Sequence, residues 1–73
     1  MIPEKTIDLI VDTLAKLADS IHLNTGEKII IGYSFTDGAE EIREGAVSAG
    51  HPDYGTACKM MVGMTSYVSD YYS

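Results

Sequence analysis

Apolar positions fall at helical spacing over the first third of the chain. From Pro3 to about Ser20, the residues Ile7, Ile10, Val11, Leu14, Leu17, Ala18 and Ile21 recur three and four apart, which at ~100° per residue gathers them into one stripe about 120° wide. Asp8, Asp12, Lys16 and Asp19 take the opposite side. Pro3 suits a first turn, Glu4 complements the helix dipole there, and Asp12 can pair with Lys16 four residues on. This pattern predicts an amphipathic helix.

Asn24-Thr25-Gly26 breaks the period and predicts a turn. Between Glu27 and Phe35 the period changes to two, with Ile29, Ile31, Tyr33 and Phe35 alternating onto one side. A strand is expected there, with a helix as the alternative. A strand needs a partner for its backbone donors and acceptors. Ile21-His22-Leu23 folding back as a short hairpin, a second copy of the chain and a binding partner are the three options.

Thr36 or Asp37 then reads as the start of a second helix, with Asp37 and Glu40 in the reciprocal capping pattern. Ala39, Ile42, Ala46 and Ala49 would form a narrow small-residue face, Glu40, Glu41 and Glu44 the acidic one, and Gly50 the stop. A third helix runs from Pro52 or Asp53 towards Tyr71. Its apolar residues, Tyr54, Met60, Met64 and Tyr71 among them, spread over roughly 180° of the wheel, wider than a surface stripe requires. The expected fold is a small single-domain α+β protein, residues 1–73, mainly α, with three helices and one short strand or hairpin in the order α-β-α-α.

Size changes how this pattern is weighed. At 73 residues the chain buries only about 60% of the surface that it exposes when unfolded, so a supplement to its core is expected. Cys58 is the only cysteine, which rules out an internal disulfide. Its neighbours Ala57, Met61 and Val62 point to a buried thiol. His22, His51 and Cys58 lack close ligand spacing, and no cofactor or metal is expected. Self-association, a homodimer in the simplest case, or docking on a partner remains.

Eleven acids against five bases give a formal net charge of −6. That balance disfavours direct binding to nucleic acid or an anionic membrane and favours a basic protein partner. The first residues show no basic segment followed by an apolar run, and no aliphatic run is longer than that of Ile29-Ile30-Ile31. A cytoplasmic location without membrane contact is expected.

Candidate chemistry is sparse. His51, Asp53, Tyr54 and Cys58 are the nearest thing to a catalytic cluster, but a helix would set His51 about 10 Å along its axis from Cys58. The carboxylate pairs Asp8 with Asp12 and Glu40 with Glu44 lie on faces that read as solvated rather than enclosed. The stretch Gly32–Gly38 lacks the lysine and glycine spacing of a phosphate loop, and the acids after Asp37 lack calcium-loop spacing. A very small enzyme is therefore the weakest reading.

What is left is interfacial. Five tyrosines and four methionines beside the acids suit a contact surface. The expected function is a small acidic protein-binding module or inhibitor that occupies a basic or apolar surface of a partner protein. Its candidate contacts are Asp8, Asp12, Asp37, Glu40, Glu41, Glu44, Tyr67 and Tyr71. The alternative is an inhibitor that imitates DNA. Thr36–Ile42 followed by His51-Pro52-Asp53-Tyr54 resembles the helix, Pro-x-Tyr, helix passage of phage anti-restriction DNA mimics. That resemblance spans under a third of the chain, at a lower charge density than those proteins carry, and assigns no family.

Overall fold

A computed structural model describes residues 2–37 and 40–72, with side chains at all of these except 37 and 40–42. Helix α1 covers Glu4–Thr25, strand β1 Ile29–Asp37, strand β2 Glu40–Ala49 and helix α2 Tyr54–Tyr72. The order is thus α-β-β-α, with two helices and one antiparallel hairpin.

Pro3 caps α1, and its carbonyl accepts from the N–H of Thr6 at 3.0 Å and of Ile7 at 3.2 Å. The helix outruns its expected end near Ser20 by more than a turn, which removes Ile21-His22-Leu23 as a strand. Gly26 closes it by donating to the His22 carbonyl at 2.7 Å. The His22 ring then bonds the Glu27 carbonyl at 2.7 Å and fixes the exit towards β1.

The hairpin is the main departure from the sequence reading. The expected second helix, built on Asp37, Glu40, Glu41 and Glu44, is β2 instead. In register, Ile29 faces Ala49, Ile31 faces Val47, Tyr33 faces Gly45 and Phe35 faces Arg43, with an irregularity after Phe35. Directly opposed residues share a face, so alternate β2 residues join the apolar side of β1. The helix signals at Asp37, Glu40 and Gly50 are local. They are overridden by a demand from elsewhere in the chain, the unpaired backbone of β1. Gly45 fits this account, since a Cβ there would stand 2.6 Å from the Tyr33 hydroxyl. The glycine that weakens a helix gives the tyrosine ring its seat in the hairpin. The helix in the resemblance to phage DNA mimics is lost with it, because residues 40–42 are extended.

Helix α1 covers the face of the hairpin that carries Ile31, Tyr33, Val47 and Ala49. Arg43 shows which face this is, reaching from β2 to Asp8 Oδ1 at 2.6 Å and to Glu4 Oε1 at 3.4 Å on α1. Among the described residues, only Ile7, Ala18 and Ala49 are buried apolar side chains. Ile10, Leu17 and Ile21, expected on the same core stripe, lie at its edge and remain exposed.

Helix α2 takes the other face. Gly32 points away from α1, and the sulfur of Met60 sits 3.4 Å from where its Cβ would be. The turn into α2 uses consecutive left-handed residues, Gly50 at φ 78° and His51 at φ 51°. The radius of gyration is 13.8 Å, against about 11 Å for a compact chain of this length. The fold is open.

Candidate interaction surface

Asp53 starts α2 and ties it to the hairpin. Its Oδ1 accepts from the Thr56 N–H at 2.9 Å and from the Thr56 hydroxyl at 3.0 Å, the geometry of an N-cap. Its Oδ2 takes Lys28 Nζ at 3.1 Å, just ahead of β1. The Thr56 backbone N–H, then Lys28 and the Thr56 hydroxyl, hold the Asp53 carboxyl down at about 2. Pro52 or Asp53 was the expected entry to this helix, but its link to Lys28 carried no sequence signal. The two residues stand 25 positions apart, and only the hairpin brings them together.

Beyond its cap, α2 is thinly covered. No residue of the helix is buried. Its large apolar side chains are half or more exposed, from 50% at Val68 to 85% at Tyr54, with Met60 the exception that turns inward. Met60 and Met64 form one wall of an open groove of about 820 Å³, and Gly32, Ser34, Glu44 and Ala46 form the other. A second groove of about 420 Å³ lies along the helix between Tyr54, Cys58, Met61 and Thr65. Near the C-terminal end, Tyr67 stacks on Tyr71 with ring centroids 5.5 Å apart, and Tyr71 meets Tyr72 edge-on at 4.8 Å. Cys58, expected to be buried, is half-buried and lines the second groove.

The acidic candidates are scattered. Asp8 is held by Arg43, whose guanidinium pKa is raised by that hydrogen bond in the first place and also by the charges of Asp8 and Glu4. Asp12 pairs with Lys16 at 2.9 Å. Glu44 lies on the opposite side of the hairpin from α1, in the groove with Met60. Asp37, Glu40 and Glu41 belong to strands and not to a helix start, and their side chains lie outside the described residues. The structure therefore forms no acidic row on a second helix, while Asp8, Asp12 and Asp19 stay along α1. It does gather tyrosines and methionines, Tyr67 and Tyr71 included.

Among the described residues, no three His, Cys, Asp or Glu side chains are placed to hold a metal ion. No described helix is long and apolar enough to cross a membrane. Comparison with known proteins finds no matching family model, no matching curated protein and no matching solved structure.

Proposed function

We propose that this chain is a non-catalytic protein-binding module whose contact surface is the exposed apolar side of α2. The observation that carries this reading is a 19-residue helix without one buried residue. Exposed apolar side chains are ordinary when scattered, but a continuous run of them marks a contact site. Tyrosine and methionine suit such a site, the first as an amphipathic anchor and the second as an adaptable filler. A basic partner drawn by the acids of α1 is the weaker form of the reading, because Asp8 and Asp12 already have cationic neighbours within the chain.

Capture of bound proteins from native cells, compared across variants, tests the assignment. Val62→Glu with Val68→Glu should abolish capture, and Asp12→Lys with Asp19→Lys should leave most of it. Full capture by the first pair would overturn α2 as the surface.

A further inference from the structure

We propose that the occupant of this surface is a second copy of the chain, joined through an antiparallel α2–α2′ contact. This pairing presupposes that α2 is the contact surface and names what covers it. Tyr54, Cys58, Met61, Thr65, Val68 and Tyr72 follow one another at steps of four, three, four, three and four. That is the alternation of a coiled-coil seam, a period of 3.5 sustained along the whole helix. The seam lies about a third of a turn from Met60 at ~100° per residue, so α2 can hold the hairpin and a second helix together. Five of the six seam residues line the groove of about 420 Å³ or a further open groove of about 360 Å³ between Met64, Thr65, Val68 and Ser69.

Charge selects the partner. The chain carries −6 overall, yet α2 holds only Lys59 and Asp70, and neither falls on the seam. The positions flanking the seam are Gly55, Val62 and Ser69 on one side and Ala57, Met64 and Tyr71 on the other, all uncharged. Two copies meeting through α1 would oppose like charges, whereas two meeting through α2 oppose none. Direction follows from the same electrostatics. A parallel pair would bring both acidic hairpins to one end, and an antiparallel pair holds them apart and opposes the helix dipoles favourably. With the two-fold axis at Gly63, Tyr54 faces Tyr72′, Cys58 faces Val68′ and Met61 faces Thr65′. Each layer then combines a larger side chain with a smaller one or closes an end with two tyrosines.

The exposed area fits a second copy. The chain exposes 5627 Å² where a folded monomer of 7.9 kDa exposes about 4,400 Å². The excess, on the order of 1,200 Å², exceeds the ~800 Å² that each partner contributes to a stable interface.

Sedimentation of the full chain from micromolar to millimolar concentration, combined with disulfide trapping, decides the matter. A dimer is expected, with Met61→Glu weakening it at least about tenfold, the loss of one anchor in a symmetric contact. Far-UV circular dichroism should stay unchanged, because Met61 is exposed within one copy. In a Cys58→Ser background, Tyr54→Cys with Tyr72→Cys should yield a disulfide-linked dimer. Within one chain those positions stand about 27 Å apart and cannot bridge. Native Cys58 should not cross-link to its own copy. A monomer at every concentration would overturn the proposal, as would fast Cys58–Cys58′ cross-linking without the 54–72′ bridge. A monomer that still loses captured protein when Val62 and Val68 are charged would overturn the pairing alone and leave α2 as the contact surface. A dimer indifferent to Met61→Glu would overturn the pairing too.

Discussion

Arg43 on β2 donates to Asp8 on α1 at 2.6 Å, across 35 residues of sequence, and clamps the first helix to the hairpin. Glu4, one turn earlier, shares the same guanidinium at 3.4 Å. The difference in distance ranks the two acids, since a short charge-assisted hydrogen bond is stronger than a long ion pair. Asp8→Asn should therefore lower the thermal midpoint more than Glu4→Gln, and Arg43→Met should lower it at least as much as either. Melting curves of the three variants check this order. Equal midpoints for the Asp8 and Glu4 variants would show that Arg43 acts as a diffuse charge and makes no directed bond.

Gly45 gives a prediction whose sign separates a hairpin from a helix. In a helix, Gly45→Ala would stabilise by about 1 kcal/mol. In the hairpin, the new methyl meets the Tyr33 ring, so Gly45→Ala should destabilise, and Gly45→Val should cost about 1–3 kcal/mol. Tyr33→Ala should recover part of the Gly45→Val loss, because it removes the other side of the clash. Urea titrations of the two single variants and the double variant supply the coupling. A stabilised Gly45→Ala protein would contradict β2.

Those two contacts also show how far the residues alone could be read. The first helix is legible because its stripe is local, as is the strand at Ile29–Asp37 with its alternating apolar side. Tyr54–Tyr72 carries its own start signal at Asp53. The segment from Glu40 to Ala49 is not legible in the same way. Its capping pair and its alanines suit a helix, and its partner in the sheet lies outside any short window. The pairing of an acid of α1 with β2 was hidden for a related reason. Asp8 looks free on a helical wheel, and only the hairpin brings Arg43 to it. The apolar surface of α2 was visible as a wide arc, whereas its exposure is a property of the fold, which sets just one turn of that arc, at Met60, against β1.

Asp53 predicts a dependence on pH. Its carboxyl is held at about 2, below the ordinary 3.8, by the Thr56 N–H and by Lys28. A lowered pKa in the folded state means that the ionised cap adds stability above the unfolded value. That contribution is lost as pH falls from about 4 through about 2. Stability should therefore drop over this interval in the native chain, and Asp53→Asn should flatten the drop, since an asparagine still caps but does not titrate. Circular dichroism melts between pH 5 and pH 2 check it. An identical acid profile in both proteins would assign the acid sensitivity to other carboxylates.

The apolar stripe of α1 gives the last prediction. Ile7 and Leu17 read alike on the helical wheel, yet Ile7 is fully buried and Leu17 is 50% exposed. Deleting buried methylenes removes transfer energy and leaves a cavity, so Ile7→Ala should cost about 2–4 kcal/mol. Leu17→Ala removes side-chain atoms already half in water and should cost less than about 1 kcal/mol. With so few buried side chains, the first loss takes up much of the total stability of a 73-residue domain. Denaturant titrations must be run at one protein concentration, because any association would add a concentration-dependent contribution to every midpoint. Repeating the Leu17→Ala titration at two concentrations then separates the cases. If Leu17 faces only water, its small cost is the same at both. A cost that grows with concentration would place the exposed edge of α1, along with Ile10 and Ile21, inside an interface, and the contact between copies would extend beyond α2.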